Sequence, residues 1–494
     1  MPTPKFHFAP ITLLLTFAVS AASAAPVLVD SSFSASYFID NENGSNDDDD
    51  YSMILERLRL RSSSDGVTAG IRLDNTVFLG RKGPRRTETR LERVYATIEQ
   101  NNLRILAGDF YRQLGRGLLL ALRKVDEVGF DVVLRGIDAS IETGPVKLSL
   151  FGGRTNSVNI DNLKNKFVDD PNDILTGAEV KAQSASLSVG LHGLHRRNEE
   201  GVNSTSSYAD ASNSVGIYSS SSFFEGQLSL YLEGAFQQNR LADQLTTGHA
   251  VYGTVDLILG DLVATVETIE LAEFSQNGSR RAIRGQAGDA FRYNQAPTLE
   301  RIDQETSKGV DERGGRLMLQ YSLLDGDLLL SSSALYKLEF PSKPGELTTL
   351  HTFGGFEYGY DLGRSRIALS GGYRDLTRTG GNTSESFKQM EHSEATILQH
   401  LTGRTSIRLA STMEYRTLEN RDYIRGSNFI GLENGRWGSL TFEYGIDNAR
   451  RQTGIRNEFY AGILSTNITR GLVLKSIVGT QRGGLKCVAG ICRD

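Results

Sequence analysis

The stretch QLSLYLEGAF, residues 227–236, alternates apolar and polar side chains with a period of two. Leu228, Leu230, Leu232 and Phe236 fall on one face of an extended chain, and their mostly polar neighbours fall on the other face. This period indicates a β-strand with one apolar and one polar face, because an amphipathic helix would repeat every 3.6 residues.

Two further stretches repeat the alternation, SIRLASTMEY at residues 406–415 and SLTFEYGID at residues 439–447. Each run is about ten residues long, which is the length that a tilted strand needs to cross a bilayer, whereas strands of soluble proteins are about half as long. The length of the runs therefore favours membrane-spanning strands over a soluble β-sandwich.

The connections between the runs alternate between tight turns and longer polar stretches. The tight turns carry Gly, Asn and Asp, which supply the positive φ of hairpin turns. They lie at residues 64–66, 101–102, 143–145, 225–226, 260–261, 325–327, 362–363, 402–403, 434–435 and 470–471. The longer stretches lie at residues 40–50, 79–89, 109–129, 154–173, 196–212, 237–247, 272–311, 339–347, 374–390, 416–424 and 448–454. Short turns at one rim and long loops at the other are the layout of outer-membrane barrels.

The number of runs from Ser31 to Thr480 indicates about 23 strands. We therefore predict an all-β protein, a large antiparallel transmembrane β-barrel of about 22–24 strands with short periplasmic turns and long extracellular loops. A single-chain bacterial barrel has an even number of strands. Either the count is off by one, or a closing strand follows Asp494. The ending ICRD lacks a terminal aromatic residue and favours the second alternative.

The first 24 residues have the order of a secretory signal peptide. Lys5 supplies a positive charge, residues 11–19 form a short apolar run, and Ala22-Ser23-Ala24 is a small-residue cleavage site. We expect residues 1–24 to be removed and residues 25–494 to form the barrel, which places the mature chain in the outer membrane. Expected partners are outer-membrane lipid, lipopolysaccharide and the outer-membrane assembly machinery.

The composition argues against several classes of function. The 54 basic and 59 acidic residues are scattered, whereas binding to nucleic acid needs a concentrated basic face. No nucleophile elbow and no zinc-protease motif occurs in the sequence, and we expect neither enzymatic activity nor a cofactor. His192 and His195 are three residues apart, so on a strand they lie on opposite faces and cannot share a metal ion.

The segment GDFYRQLGRGL, residues 108–118, and the segment DVVLRG, residues 131–136, carry a resemblance to a known family. They are similar to a group of uncharacterised bacterial outer-membrane barrels, classified as a domain of unknown function, that have a GDFY…GxGL…LRG stretch early in the barrel. The resemblance is clear over roughly residues 107–154. It implies a barrel fold and an outer-membrane location, and it implies no catalytic residues.

Residues 109–129 are the least barrel-like part of the chain, because apolar leucines there are mixed with charges of both signs and with glycines. One hypothesis is a loop folded into the lumen as a constriction, with opposed charges that screen solutes by size and charge. The alternatives are an extracellular loop packed on the rim, or two more strands. The candidate constriction residues are Arg112, Arg116, Arg123, Lys124, Asp126 and Glu127.

Several charged residues lie on the polar faces of the predicted strands. They should point into the lumen, because charge on the lipid face costs a few kcal/mol near the midplane. They are Arg57, Arg59, Arg93, Glu233, Glu267, Arg408, Glu414 and Glu443. Inward charge follows from the topology whether or not a solute is transported.

Two smaller features have simple interpretations. Residues 47–50 are four aspartates whose spacing does not fit an EF-hand, and we interpret them as a solvated acidic loop rather than a metal site. Cys487 and Cys492, the only cysteines, are predicted to form a local disulfide in an exported protein.

The leading functional hypothesis is a porin-like channel for small hydrophilic solutes, with the solute itself left open. A structural or interaction barrel that presents loops such as residues 272–311 to partners is the alternative. An outer-membrane hydrolase with a serine–histidine pair brought together by the fold is a third class. An energised receptor is disfavoured, because no plug domain fits between the signal peptide and the first strand.

Overall fold

The structure is a computed structural model in which 18 parts of the chain are described. They are residues 26–38, 50–80, 87–125, 130–157, 160–161, 166–167, 173–198, 211–241, 244–274, 293–300, 311–340, 346–379, 388–418, 421–448, 457–469, 472–481, 486–488 and 491–493. The predicted signal peptide, residues 47–49 of the acidic loop, Asp126 and Glu127 lie outside these parts.

The described chain is built almost entirely of strands. The first half contains β1 Val27–Phe38, β2 Tyr51–Ser64, β3 Val67–Leu79, β4 Glu88–Gln100, β5 Leu103–Phe110, β6 Arg112–Leu114, β7 Leu120–Leu122, β8 Lys124–Val125, β9 Phe130–Thr143, β10 Val146–Ser157, β11 Ile160–Asp161, β12 Lys166–Phe167, β13 Ile174–Gln183, β14 Leu187–Arg197, β15 Ala211–Phe223, β16 Leu228–Leu241 and β17 Gln244–Leu259. The second half contains β18 Leu262–Ala272, β19 Asp311–Leu323, β20 Leu328–Phe340, β21 Glu346–Tyr360, β22 Ser365–Thr379, β23 Lys388–Thr402, β24 Thr405–Leu418, β25 Arg421–Asn434, β26 Gly438–Asp447, β27 Glu458–Thr469, β28 Leu472–Gly479, β29 Lys486–Val488 and β30 Ile491–Arg493. Two single 3₁₀ turns, Phe224–Gly226 and Leu324–Gly326, connect strands. No helix in the described parts is long and apolar enough to cross a membrane.

The 23 long strands form one continuous antiparallel sheet in which each strand pairs with its neighbours along the chain. The pairing skips short strands at two places, because β5 pairs directly with β9 and β10 pairs directly with β13. The skipped β6 and β7 pair with each other, as do β11 and β12. β1 and β28 form the two ends of the sheet, and no pairing between them is seen in the described parts. This architecture confirms the predicted large antiparallel barrel fold and the expected number of strands.

Burial on the strands is the reverse of burial in a soluble protein. In β16, Leu232 is 59% exposed and Phe236 is 49% exposed, whereas Glu233 between them is fully buried. In β26, Phe442 is exposed and the adjacent Glu443 is buried. An outward apolar face suits contact with lipid, and an inward polar face suits a lumen. The alternation in the sequence therefore predicted the two faces correctly.

The tight turns follow the chemistry expected of hairpins. Asp65 and Gly66, which join β2 to β3, both have positive φ, at 46° and 78°. This is the backbone of a two-residue turn whose twist matches the flanking strands.

Two of the stretches predicted to be long loops are largely strand. In residues 237–247, β16 continues to Leu241 and β17 begins at Gln244; in residues 416–424, β24 continues to Leu418 and β25 begins at Arg421. The prediction placed the strand ends where apolar residues stop. Polar strands can continue beyond the apolar band because their hydrogen bonds, unlike their side chains, do not depend on lipid.

Candidate functional site

The chain leaves the sheet after Phe110, the last residue of β5, and the carboxylate of the preceding Asp109 is almost completely buried. It accepts hydrogen bonds from the Val94 backbone N–H at 2.6 Å and from Asn156 Nδ2 at 2.8 Å. It also accepts two bonds from the Arg135 guanidinium, at 2.9 and 3.0 Å. A buried carboxylate needs such partners, because an unpaired charge in this position would be strongly destabilising.

The GDFY segment and the LRG segment lie opposite each other in the pairing of β5 with β9. Gly108 pairs with Gly136 and Asp109 pairs with Arg135 across β5 and β9. Gly108 has φ +112°, and a Cβ added to it would lie 2.1 Å from the Val94 carbonyl oxygen. Only glycine fits this conformation and this close approach. The two segments together therefore fix the direction in which the chain leaves the sheet.

Tyr111 continues the anchor on the other side of the turn. Its O–H donates to Asp131 Oδ1 at 2.7 Å. The same carboxylate pairs with Arg93 at 2.8 Å and with Arg72 at 3.2 Å, and Arg72 is also bonded to Asp74. These mutually paired charges hold the end of β5 against β3, β4 and β9.

Residues 111–125, here called the lumen segment, fold back against the inward face of the sheet. β6 and β7 within it form a small hairpin. Its five leucines are essentially inaccessible: Leu114, Leu118, Leu119, Leu120 and Leu122. The wall is close, since a Cβ added to Gly216 of β15 would lie 3.0 Å from Leu119 Cδ1. The five leucines form one buried cluster with apolar residues of the wall such as Phe151, Leu175 and Leu194.

A second segment, residues 293–300, crosses over the lumen segment and is here called the crossing segment. The Ala121 N–H donates to the Tyr293 carbonyl oxygen at 2.7 Å, and the Gln295 N–H donates to that of Gly117 at 3.0 Å. Tyr293 is fully buried and its O–H donates to Asp173 at 2.5 Å. Burial and the negative charge of Asp173 raise the pKa of the Tyr293 phenol well above its ordinary value.

The far end of the crossing segment is fixed to the opposite part of the wall. Glu300 Oε1 lies 2.8 Å from His351 Nδ1, and His351 Nε2 lies 2.9 Å from His392 Nε2. Glu300 also pairs with Arg374 at 3.4 Å. His351 is buried on the inward face, whereas the adjacent Leu350 is exposed, so residues 293–300 lie against the inward face of the sheet. The display of the loop at residues 272–311 to partners stays a hypothesis.

The predicted constriction residues are placed as follows. Arg112 pairs with Glu179 at 2.9 Å and with Asp138 at 3.5 Å, and its guanidinium lies over the Phe151 ring. The carboxylates of Glu179 and Asp138 thus balance the positive charge of Arg112.

The other described candidates differ in exposure. Arg116 is exposed above the wall, and Lys124 is also exposed. Arg123 is half-buried, and burial lowers the pKa of its guanidinium below the ordinary value. Asp126 and Glu127 lie outside the described residues, so the expected field of opposed charges stays a prediction.

Charged residues on the inward face differ in exposure with their position along the strands. Beneath the lumen and crossing segments, Glu233 is inaccessible and Glu267 pairs with Arg316 in a buried contact. On the face of β24 and β25 that also carries the buried Arg416 and Ser427, the Arg408 side chain is 56% exposed and that of Glu433 is 43% exposed. The exposed pair lies near the short turns that end β23 and β25, whereas Arg416 of the same face lies near the other end of β24 and is buried.

Other sequence-predicted features have the following outcomes. His192 is buried and His195 is exposed, so the two lie on opposite faces as predicted. Among the described residues, no three His, Cys, Asp or Glu side chains are grouped to hold a metal ion. Cys487 and Cys492 face each other in the ladder of β29 and β30, and their disulfide remains a prediction.

Comparisons with known proteins give a family and a set of distant folds. A model described as "Family of unknown function (DUF6029)" matches residues 9–305. Comparison with curated protein sequences gives no match. Among solved structures, Pseudomonas aeruginosa OpdO is 14% identical, with a TM-score of 0.44 over 78% of this chain and 96% of that one. OccK5 (OpdH) of the same organism is 10% identical, with a TM-score of 0.42 over 75% and 95%. The outer membrane protein OpdK, also from P. aeruginosa, is 14% identical, with a TM-score of 0.39 over 75% and 96%.

Proposed function

Since the chain belongs to DUF6029, a family of unknown function, we propose from its geometry that it is a porin-like channel for small hydrophilic solutes in the outer membrane. The observation that carries the proposal is the exposed, charged part of the inward face. Arg408 and Glu433, 3.9 Å apart, remain largely accessible although they lie on the polar face of the sheet. Charges in this position need water beside them, because an uncompensated charge in a dry interior is costly.

The size of the sheet supports the same proposal. A barrel of more than 20 strands encloses a wide lumen, and the lumen and crossing segments contact only part of its wall. Arg59 of β2, which faces inward beside the partly buried Arg57, is likewise 47% exposed. The solute path in this proposal runs past the lumen and crossing segments toward the short turns, where Arg59, Arg408 and Glu433 are exposed.

The lumen segment acts in this proposal mainly by its volume. Arg112 is already paired with wall carboxylates, and the open wall carries both signs, as in the neighbouring Arg366 and Glu357 at 3.0 Å. Such a lumen would select strongly by size and weakly by charge. The location follows the same proposal: residues 1–24 direct export and are removed, and the apolar outer face meets lipid and lipopolysaccharide.

A closed interaction barrel is the second candidate. The five buried leucines of the lumen segment and the backbone bonds between the two segments favour it, because they form a dry, well-packed core inside the wall. It requires the remaining lumen to be blocked as well.

Conductance separates the two candidates. Residues 25–494, refolded and inserted into planar lipid bilayers, are expected to give stable, long-lived open steps in potassium chloride, because ions would pass along the hydrated wall. The same preparation should let small neutral sugars swell liposomes. Heat-denatured protein at equal detergent concentration is the control. Correctly folded barrels that give neither current nor swelling would favour the closed barrel.

A further inference from the structure

A row of aromatic rings crosses the inner wall beside the lumen segment. Tyr218 of β15, Tyr231 of β16 and Tyr252 of β17 have ring centroids 6.2 Å apart from one strand to the next. The Tyr218 and Tyr231 rings are stacked, and the Tyr252 ring is tilted. Neighbouring strands thus present their π-faces as one surface, and such faces attract cations through the ring quadrupole.

Each phenol of this row donates a hydrogen bond to a carboxylate. The three bonds are Tyr218 to Glu179 at 3.1 Å, Tyr231 to Glu233 at 2.6 Å and Tyr252 to Glu267 at 3.0 Å. The outer two carboxylates are compensated by arginines, Glu179 by Arg112 and Glu267 by Arg316.

The middle carboxylate, Glu233, has no such compensation. Its side chain is inaccessible, and among the described residues no lysine or arginine head group lies within 4.0 Å of it. It accepts the Arg116 backbone N–H at 2.7 Å, but its Oε1 has no hydrogen-bond partner and lies 3.8 Å from His192 Nε2. Because Glu233 accepts hydrogen bonds from the Tyr231 phenol and the Arg116 N–H, it fixes the ring and the lumen segment in place, and the ring faces are what attract a cation.

The surface above this carboxylate is occupied by the side chain of Arg116. Its guanidinium carbon lies 4.2 Å from the Tyr231 ring centroid and 5.7 Å from that of Tyr252. Its only described side-chain hydrogen bonds are two long ones of 3.4 Å, to the Tyr252 and Thr254 hydroxyls. The side chain is exposed to the lumen, and no described carboxylate lies within ion-pair distance of it. Arg116 is therefore bound weakly enough to be displaced.

We propose that the wall at Tyr231 and Tyr252 is a binding site for organic cations of the guanidinium class, and that Arg116 occupies it as an internal ligand. A guanidinium-bearing solute in the lumen displaces the Arg116 side chain and stacks on the same rings. The inference deepens the proposed function by naming a solute class and rests on it for the route by which the solute arrives. Binding itself does not require an open channel.

The test is binding of methylguanidinium to the refolded barrel in detergent, measured by ligand-observed NMR titration. The Arg116→Ala variant is expected to bind it about two- to fivefold more tightly than the unmodified chain, since an exposed cation–π contact of the internal ligand no longer competes. Neutral methylurea, similar in shape, should bind neither protein. The Arg104→Ala variant, which removes an arginine of β5 paired with Glu99 and Asp138, should bind like the unmodified chain.

A matched pair of changes at Tyr231 locates the site. In the Arg116→Ala background, Tyr231→Phe keeps the ring face and should keep binding, while Tyr231→Leu should abolish it; both lose the bond to Glu233 equally. Arg116→Gln provides a second variant should the alanine variant fold poorly. Equal affinity of the Arg116 variants and the unmodified chain, or equal binding of methylurea, would overturn the proposal. Because the titration does not measure current, a negative result leaves the conductance of the channel unaffected.

Discussion

Replacing residues 114–125 with a short Gly-Ser linker is expected to raise the single-channel conductance about twofold or more, since current grows with the open cross-section of a pore. The replacement removes all five buried leucines of the lumen segment. It also removes the Gly117 and Ala121 backbone partners of the crossing segment. The opened lumen should then admit larger neutral sugars in the liposome-swelling assay, so the size limit and the current should shift together.

The control for this replacement is a variant changed beside a short turn, outside the lumen segment. Glu142 and Lys147, an exposed ion pair 2.7 Å apart beside the turn between β9 and β10, are both replaced by alanine. This variant should keep the original conductance and size limit. Equal currents from the linker variant and the unmodified chain would show that the lumen segment does not narrow the path.

Removing the anchor of the lumen segment is expected to cost much of the stability of the barrel. Asp109→Ala leaves the Arg135 guanidinium, the Asn156 amide and the Val94 N–H without their shared acceptor. Breaking a buried pair from one side costs about 3–5 kcal/mol. Because the Arg135 side chain is 37% exposed and can be partly hydrated, we expect a loss of about 2–3 kcal/mol. Urea unfolding in lipid vesicles measures it.

Two further variants test whether the loss comes from this buried site. Asp109→Asn keeps a hydrogen-bond acceptor but not the charge, so its free energy of unfolding should lie between those of Asp109→Ala and the unmodified chain. Glu142→Ala removes one partner of an exposed pair and should leave the unfolding midpoint unchanged. If Asp109→Ala unfolded at the midpoint of Glu142→Ala, the GDFY and LRG segments would not be the anchor described here.

Much of the fold could be predicted from the sequence, because alternate residues of a barrel strand face lipid and lumen and therefore alternate between apolar and polar. Leu232 and Glu233 differ in polarity, and that difference alone places one in lipid and the other inside. The turns could be predicted because Asp and Gly are the residue types that adopt positive φ, as Asp65 and Gly66 do. The ends of β16 and β24 could not be predicted, because strand residues beyond the apolar band do not alternate between apolar and polar.

The site was only partly predictable, because its contacts join residues distant in sequence. The composition of residues 109–129 set them apart from the strands, with an infolded segment as one of three interpretations. The crossing segment gave no such signal, because Tyr293 bonds to Asp173, 120 residues away, and Glu300 bonds to His351, 51 residues away. The pairing of Arg112 with Glu179 likewise depends on which strands the segment meets. These contacts depend on which strands meet in the folded sheet, and a local sequence pattern does not contain that information.

The most direct test of a water-filled path along the uncovered wall is a cysteine scan of β24 during current recording. Single cysteines are placed at residues 406–412 in a background with Cys487 and Cys492 changed to serine, and a charged methanethiosulfonate reagent is added to the aqueous bath. Arg408 faces inward on the open wall and Leu409 faces outward. A water-filled path predicts stepwise loss of current at residues 406, 408, 410 and 412, with none at 407, 409 and 411. Reaction without this alternation, or no change of current at any position, would contradict it.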